Sequence, residues 1–498
     1  MKMDKTVDMT RGNILRHILL FSIPLIIGNI FQQLYSMADT IIVGRTIGVN
    51  ALAAVGASGS LVFCVIGFAM GLAGGFAIMV SQRFGAGDMQ GVRRSIAMGA
   101  MLCAVFSALL MAVSIPGTRG LLVLMNTPPE VIDGAHAYLT VIFWGIPITV
   151  LYNYLSSVLR ALGDSRTPLY FLLIASVLNV ILDYVCILNF RMGVMGAGVA
   201  TVFSQGVSAF LCLIYVKKGL SDLFPGRGDW KWNGRFAWYH LRLGVPMAVQ
   251  TSVIATGAMA VQSSLNQFGA VAMAGYAASS KIEALVTQTM ISVGMTLATF
   301  VGQNYGARSY RRIREGVRKS TFIIMMIAVL GGILVTVCGR AMTMIFIGTS
   351  EENVGEVVRY AKQYLTISAC FYPVLSCIFI FRNVQQGLGN TGIVLVGSIV
   401  ELISRLVGAF ILAAFFGYVG VCFASPAAWC GAALLFIIAY AVSRISSPAD
   451  RVNVGLCGRG AAAKTPAWDR TYIKITGRLS RPVILSYCQV LCLYWFPS

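Results

Sequence analysis

The sequence is poor in charge and poorest in acid. Of its 498 residues only 11% are Asp, Glu, Lys or Arg, and only 18 are acidic. A soluble domain carries about 25% charge, so residues of this kind cannot cover a chain of this length against water. The same shortage, with 57% hydrophobic residues and a mean hydropathy of +0.78, excludes disorder, collagen and coiled coil. Histidine is scarce: His17, His136 and His240 form no metal cluster and belong to no nucleophile–base motif. The absence of a G-x-x-x-x-G-K-[ST] loop argues against ATP as the energy source. The twelve cysteines are not a disulfide framework. Cys64, Cys103, Cys186, Cys212, Cys338, Cys370, Cys377, Cys422 and Cys430 lie in or near apolar runs at spacings that fit no zinc site. They read as small hydrophobes inside helices.

What is abundant is long apolar sequence. Runs fall at about 17–43, 51–81, 93–115, 135–159, 168–189, 194–216, 239–266, 274–303, 319–347, 360–381, 392–415 and 418–443. Nearly all exceed the roughly 18 residues that cross a bilayer as a helix. The fold class expected is an all-α polytopic membrane protein of about twelve transmembrane helices. Several runs are longer than a span requires, which predicts tilt or extension into the interface. Pro24, Pro147, Pro246 and Pro373 lie within runs and should bend them. The first run contains Pro24 and Asp39 and lacks an A-x-A cleavage site, so it reads as a membrane helix and not a removable signal peptide.

The net charge of +20 is distributed as in a membrane protein. Lys2, Lys5, Arg11 and Arg16 precede the first run. Arg83, Arg93 and Arg94 follow the second, and Arg160 and Arg166 follow the fourth. Lys217, Lys218, Arg227, Lys231 and Arg235 fill the middle connection, and Arg308, Arg311, Arg312, Arg314, Arg318 and Lys319 follow the eighth. The alternate loops hold only Arg45, Arg119, Arg191 and Arg340, with Glu351, Glu352 and Glu356. Loops rich in Lys and Arg face the cytoplasm. The expectation is a multi-pass protein of the cell membrane with both termini cytoplasmic. No nucleic-acid motif accompanies the bases, so no nucleic-acid partner is expected.

The two halves repeat. Phe21-Ser22-Ile23-Pro24 aligns with Leu243-Gly244-Val245-Pro246, and Gln82-Arg83-Phe84-Gly85-Ala86 with Gln303-Asn304-Tyr305-Gly306-Ala307. Arg160-Ala161-Leu162-Gly163-Asp164-Ser165 aligns with Gln386-Gly387-Leu388-Gly389-Asn390-Thr391, and Gly193-Val194-Met195-Gly196 with Gly417-Tyr418-Val419-Gly420. The spacing between partners stays nearly constant, as a duplication requires and chance matches do not. Six helices per unit is an even number, so the units enter the membrane in the same direction and their pseudo-two-fold axis runs along its normal. The organisation expected is a six-helix lobe over 1–216, a basic cytoplasmic linker over 217–238 and a second six-helix lobe over 239–443. The remaining residues, 444–498, are polar and aperiodic until a short apolar piece from Pro482 to Pro497. They read as a cytoplasmic or interfacial tail.

The stretch Gln82-x-Phe84-Gly85-Ala86-Gly87-Asp88, the repeated Gly302-Gln303-Asn304-Tyr305-Gly306-Ala307, the Leu159-Arg160-Ala161-Leu162-Gly163-Asp164 turn and Leu178-Asn179-x-x-Leu182-Asp183 resemble the multidrug and toxic compound extrusion (MATE) family. The resemblance covers about residues 10–443 and does not extend to the tail.

Two acids mark a candidate site. Asp39 lies inside the first run and Asp183 inside the fifth. A carboxylate at membrane depth is costly and implies function; burial disfavours its charged form, and a second carboxylate nearby does so further. Asn179 and Asp183 are four residues apart and share a helix face. Thr201, in the next run, offers another oxygen. The family resemblance implies that Asp39, Asn179, Asp183 and Thr201 line one cavity coupled to H⁺ or Na⁺, and that Pro24 is a hinge that bends when the cation loads. No metal is expected beyond Na⁺ at these four residues, and no cofactor beyond the transported cation. The family's other acid pattern, a Glu in the seventh helix and an Asp in the tenth, is missing here: 241–266 and 360–381 contain no acid. In the second half Glu401 and Arg405 are four apart and read as a structural ion pair. Lys281 and Glu283 are two apart and point to different sides, which leaves Glu283 as an acid that could face substrate. Tyr35, Tyr152, Tyr276 and Tyr372, with Phe143 and Trp144, are candidates for walls of a substrate cavity, because aromatic faces attract organic cations.

The function expected is a secondary active exporter of drugs or organic cations, an antiporter and not an enzyme, exchanging substrate for H⁺ or Na⁺ by alternating access. Its partners would be small-molecule substrates and membrane lipids, and it would act as a monomer. Two alternatives fit less well. A lipid-linked oligosaccharide flippase of the same superfamily would line its cavity with bases, and a non-transporting membrane protein would not need buried acids in duplicated halves.

Overall fold

The computed structural model describes residues 6–125, 127–347 and 354–443. The tail over 444–498 lies outside the described residues. Everything regular among the described residues is helical. In chain order the first half holds α1 (Ile14–Thr46), α2 (Val49–Gly85), α3 (Met89–Leu124), α4 (Pro129–Trp144), α5 (Ile146–Ala161), α6 (Arg166–Tyr184) and α7 (Val194–Gly219). The second holds α8 (Gly234–Leu265), α9 (Gly269–Gly306), α10 (Tyr310–Ile347), α11 (Val354–Leu388), α12 (Thr391–Leu406), α13 (Ala413–Phe416), α14 (Tyr418–Cys422) and α15 (Ala424–Val442). Eleven helical segments are long and apolar enough to cross a membrane, and the bent pair α4–α5 makes a twelfth.

Three helices, α1, α3 and α8, begin where a polar side chain satisfies a first-turn amide. Asn13 accepts from Arg16 N, Asp88 from Gly91 N and Asn233 from Phe236 N. Each supplies a partner that the helix itself cannot. Observed helices outrun the apolar runs because polar terminal turns escape a hydropathy reading. The linker accordingly shrinks to 220–233, since Lys217 and Lys218 form the last turn of α7, where the helix dipole favours cations.

The prolines behave unequally. At Pro147 the fourth span breaks by 50° between α4 and α5. Its repeat partner Pro373 sits inside an unbroken α11, and Pro24 and Pro246 likewise lie within continuous helices. The break coincides with Gly145, which precedes Ile146-Pro147 and packs tightly on Val202. Proline plus glycine interrupts the helix where proline alone is absorbed.

The duplication is visible in the backbone. Gly163 and Gly389 take φ of 90° and 82°, and Gly193 and Gly417 both take 59°. A π-helical turn follows α6 at Val185–Asn189 and another follows α12 at Val407–Leu412. In the first half α2 packs on α3, α4 and α5; in the second α9 packs on α10 and α11.

The halves meet through α1 and α2 against α8 and α9. Glycine permits the approach: a Cβ on Gly75 would stand 2.5 Å from Gly244 Cα, and one on Gly71 2.6 Å from Ala248 Cα. Ser22 Oγ donates to Thr296 Oγ1 (2.8 Å) and Asn29 Nδ2 to Ser292 Oγ (2.9 Å). Toward the basic loops Gln82 Nε2 donates to the Gly387 carbonyl at 2.9 Å and Gln303 Nε2 to that of Ala161 at 3.0 Å. A strap formed by residues 7–12 covers this end. Met9 is fully buried, its amide donates to Gln303 Oε1 (2.9 Å), and its carbonyl accepts from Asn304 Nδ2 and Arg312 Nη2. Arg312 also donates to the carbonyls of Arg11 and Gly12. On the other side Val7 lies against Gly163, so the strap touches both halves. All of these contacts lie in the half of each helix nearest the basic loops.

Candidate functional site

Asp39 lies seven residues before the end of α1, about 10 Å inside it at 1.5 Å per residue, on the side opposite the strap. Helix α1 packs on α6, and α6 on α7. That order carries Asp183, Asn179 and Thr201 to Asp39, so all four predicted residues meet. Asp39 is nearly buried, and Asn179 and Asp183 are fully so. Oriented to satisfy its neighbours, the Asn179 amide donates to Asp183 Oδ2 (3.1 Å) and accepts from Thr201 N (3.2 Å). Tyr35, one turn before Asp39, donates to Thr201 Oγ1 at 3.3 Å.

The carboxyl groups of Asp39 and Asp183 face each other. Two carboxylates are acceptors only, so a hydrogen bond between them would require a proton. Asp39 Oδ1 and Asp183 Oδ1 are also buried without a donor when both groups are written as anions. The arrangement therefore suits one proton on the pair. With that proton removed, two like charges would face each other, and a cation would have to replace it. Na⁺ in place of the proton could draw on Thr201 Oγ1, and on the Asn179 oxygen only if that amide turned over from the orientation given above. Tyr138 on α4 is buried within Coulombic reach of Asp39, Asp183 and Tyr35. The π-helical turn starts two residues after Asp183, a local rewinding common at functional positions.

A second polar centre lies in the other half. A cavity of about 240 Å³ is lined by Ala258 and Val261 of α8, Tyr276, Ser280 and Glu283 of α9, Tyr364 of α11, Arg405 of α12, and Ser425 and Trp429 of α15. Glu283 accepts from Tyr364 Oη at 2.5 Å, and Tyr276 packs edge-on to Tyr364 at 4.9 Å. Arg405 Nη2 donates to Glu401 Oε1 at 2.8 Å, and both are about nine-tenths buried. Lys281 is exposed while Glu283 is buried, as their spacing requires.

This cavity and the carboxyl pair occupy corresponding places in the repeat. Tyr138 and Tyr364 are related by the spacing that relates Pro147 to Pro373, and Thr201 and Ser425 by that of Gly193 and Gly417. In α6 and α12 the charge type differs: an Asn–Asp pair in one, a Glu–Arg pair in the other. Tyr138, Tyr364, Ser425 and Trp429 escape a reading residue by residue, because tyrosine and serine are ordinary in membrane helices. Repeat spacing was the signal that could have found the first three.

The aromatic candidates are dispersed. Tyr35 joins the carboxyl pair and Tyr276 lines the second cavity. Tyr372 is fully buried, 6.4 Å from Trp429. Tyr152 lies with Ser156, Arg160 and Cys212 toward the basic end. Phe143 is packed in the core, whereas Trp144 is 63% exposed on the surface of the bundle. Pro24 is buried in α1, fifteen residues before Asp39. The nine cysteines among the described residues are free thiols.

A bundle of about twelve spans, built twice over and holding buried carboxyls at membrane depth, has the architecture of a membrane transporter. The chain belongs to the MatE family, whose model matches residues 24–185 and 246–411, one stretch in each half. It is 31% identical to the probable multidrug resistance protein YpnP of Bacillus subtilis, over 77% of this chain and 85% of that one. Similarity to the probable multidrug resistance protein YoeA of the same organism is 28% over 66% and 72% of the two chains. Among solved structures, that of a MATE protein in complex with MaL6 superposes with a TM-score of 0.82, covering 89% of this chain and 98% of the other at 23% identity. The chain is thus a multi-pass membrane transporter of this family.

Proposed function

We propose that the protein is a multidrug exporter that expels organic cations in exchange for H⁺. The facing of two buried carboxyl groups, Asp39 and Asp183, carries this reading, since such a pair can hold one proton away from water. A one-for-one exchange with a monovalent cation moves no net charge and is driven by the proton concentration gradient; each proton moved beyond the charge of the substrate adds roughly 2.3 kcal/mol per 100 mV. Coupling requires that proton and substrate bias opposite states of the two halves. In support, the halves are joined at the strap end, while the carboxyl pair lies at the other end of α1. The names carried by the relatives from Bacillus subtilis agree with drug export. Glu283, Tyr276 and Trp429 make the second cavity a place for a cationic group, and Pro24 is the hinge expected to bend α1 when the proton loads.

The experiment is ethidium transport in proteoliposomes under an imposed H⁺ gradient, an imposed Na⁺ gradient, or neither. Efflux that follows the H⁺ gradient alone supports the proposal. Efflux that follows only the Na⁺ gradient assigns Asp39, Asn179, Asp183 and Thr201 to that ion, and efflux indifferent to both defeats the antiport reading.

A further inference from the structure

The linker between α7 and α8 is folded. Two 3-10 turns, Ser221–Leu223 and Arg227–Trp230, hold it against α3. Arg93 Nη1 donates to the Asp222 carbonyl at 3.0 Å, and Asp229 lies 3.5 Å from Arg93 Nε and 3.9 Å from Arg94 Nε. Leu223 and Pro225 are buried beneath. This docking engages one acid of the segment and leaves its opposite composition outside. Arg227, Lys231 and Arg235 are exposed, with Lys217 and Lys218 exposed at the end of α7. Between them stand Trp230, Trp232 and Trp238, exposed by 44%, 58% and 62%. Three of the seven tryptophans of the chain thus fall within nine residues that run from the end of the linker into the first turns of α8.

Three indoles turned outward on one short segment need an environment that is apolar for the ring and polar for the N–H. The headgroup level of a bilayer supplies both. The segment joins two membrane-spanning helices, which places it at that level. Five cations against one exposed acid, Asp222, add the charge that anionic headgroups select. A soluble polyanion would answer the cations but would leave the indoles on the bilayer side unused. We infer that this face is a binding surface for anionic phospholipid headgroups of the leaflet it borders, with the guanidinium and ammonium groups on the phosphodiesters and the indoles at the glycerol level. The surface is separate from the carboxyl pair, and the inference does not rest on the transport reading.

The test uses the full chain in phosphatidylcholine vesicles containing a minor fraction of phosphatidylglycerol. Either lipid is brominated high on its acyl chains, and quenching of tryptophan fluorescence is compared. Brominated phosphatidylglycerol should quench more than the same fraction of brominated phosphatidylcholine. The difference should vanish in a Trp230→Phe, Trp232→Phe, Trp238→Phe protein. In Arg227→Gln, Lys231→Gln, Arg235→Gln the preference for the anionic lipid should fall by about tenfold or more. In Arg227→Lys, Arg235→Lys it should persist, because charge and not shape is selected. All these positions are exposed, so the fold is kept, and unchanged elution and melting check it. Equal quenching by the two lipids, a preference that survives the triple Gln variant, or its loss in the double Lys variant would overturn the inference. Displacement of the lipid by a single-stranded oligonucleotide would overturn it in favour of a soluble polyanion.

Discussion

Asp39→Asn and Asp183→Asn each replace one titrating group at nearly constant volume, so the cavity should survive while the proposed proton site is lost. Each should abolish gradient-driven efflux and leave passive exchange, read as ethidium release with and without an imposed gradient. Undiminished driven efflux in the double variant, expressed normally, would move the coupling site to Glu283. At Glu283 itself, Gln keeps an acceptor for Tyr364 and removes the charge. Glu283→Gln is expected to raise the apparent KM for a cationic substrate by about tenfold, the worth of one desolvated cation contact, and to leave efflux of an uncharged substrate unchanged. The acids were legible in the sequence because a carboxylate in an apolar run needs a reason, and Asn179 with Asp183 has helical spacing. Tyr138 and Tyr364 were not, because a tyrosine in such a run needs none.

At the scale of elements, all twelve spans were legible, since each must be apolar for the length of a bilayer whatever it packs against. Their ends were not: caps such as Asp88 and terminal turns such as Lys217-Lys218 are polar and look like loop. Nor was the difference between Pro147 and Pro373, which is set by Gly145 and its packing on Val202. The seam between halves gives a prediction of its own. A Cβ on Gly85 would stand 1.9 Å from the Gln303 carbonyl oxygen, and one on Gly306 1.8 Å from that of Gln82. Both contacts are to backbone, which cannot swing aside. Gly85→Ala or Gly306→Ala should force the halves apart at the strap, destabilising this closed end by about 1–3 kcal/mol, the usual cost of overpacking. Spin labels at Ala86 and Ala307 should then show a longer and broader distance distribution, and an unchanged distribution would refute the reading of this seam as a tight closure.

For the molecule as a whole, loop charge predicts an orientation that labelling can test. A cysteine replacing Glu356, in a background without the native cysteines, should react with an impermeant thiol reagent from outside the cell, and one replacing Ser309 should not. The reverse pattern would turn the molecule over.

The seam has a further property. Gly85 rests on Gln303 while Gly306 rests on Gln82, and these are the same two positions of the repeat exchanged. Reciprocity of this kind is the mark of an isologous contact, the self-complementary patch of a symmetric dimer. Two six-helix polypeptides could meet through that patch with no covalent join at all. The backbone between the turns ending at Leu223 and beginning at Arg227 should then be dispensable as a connection. Residues 1–225 and 226–498, expressed together as separate polypeptides, are expected to co-purify through a tag on one and to exchange substrate as the unbroken chain does. Pieces that fail to associate, though each reaches the membrane, would mean that the join itself holds the halves in register.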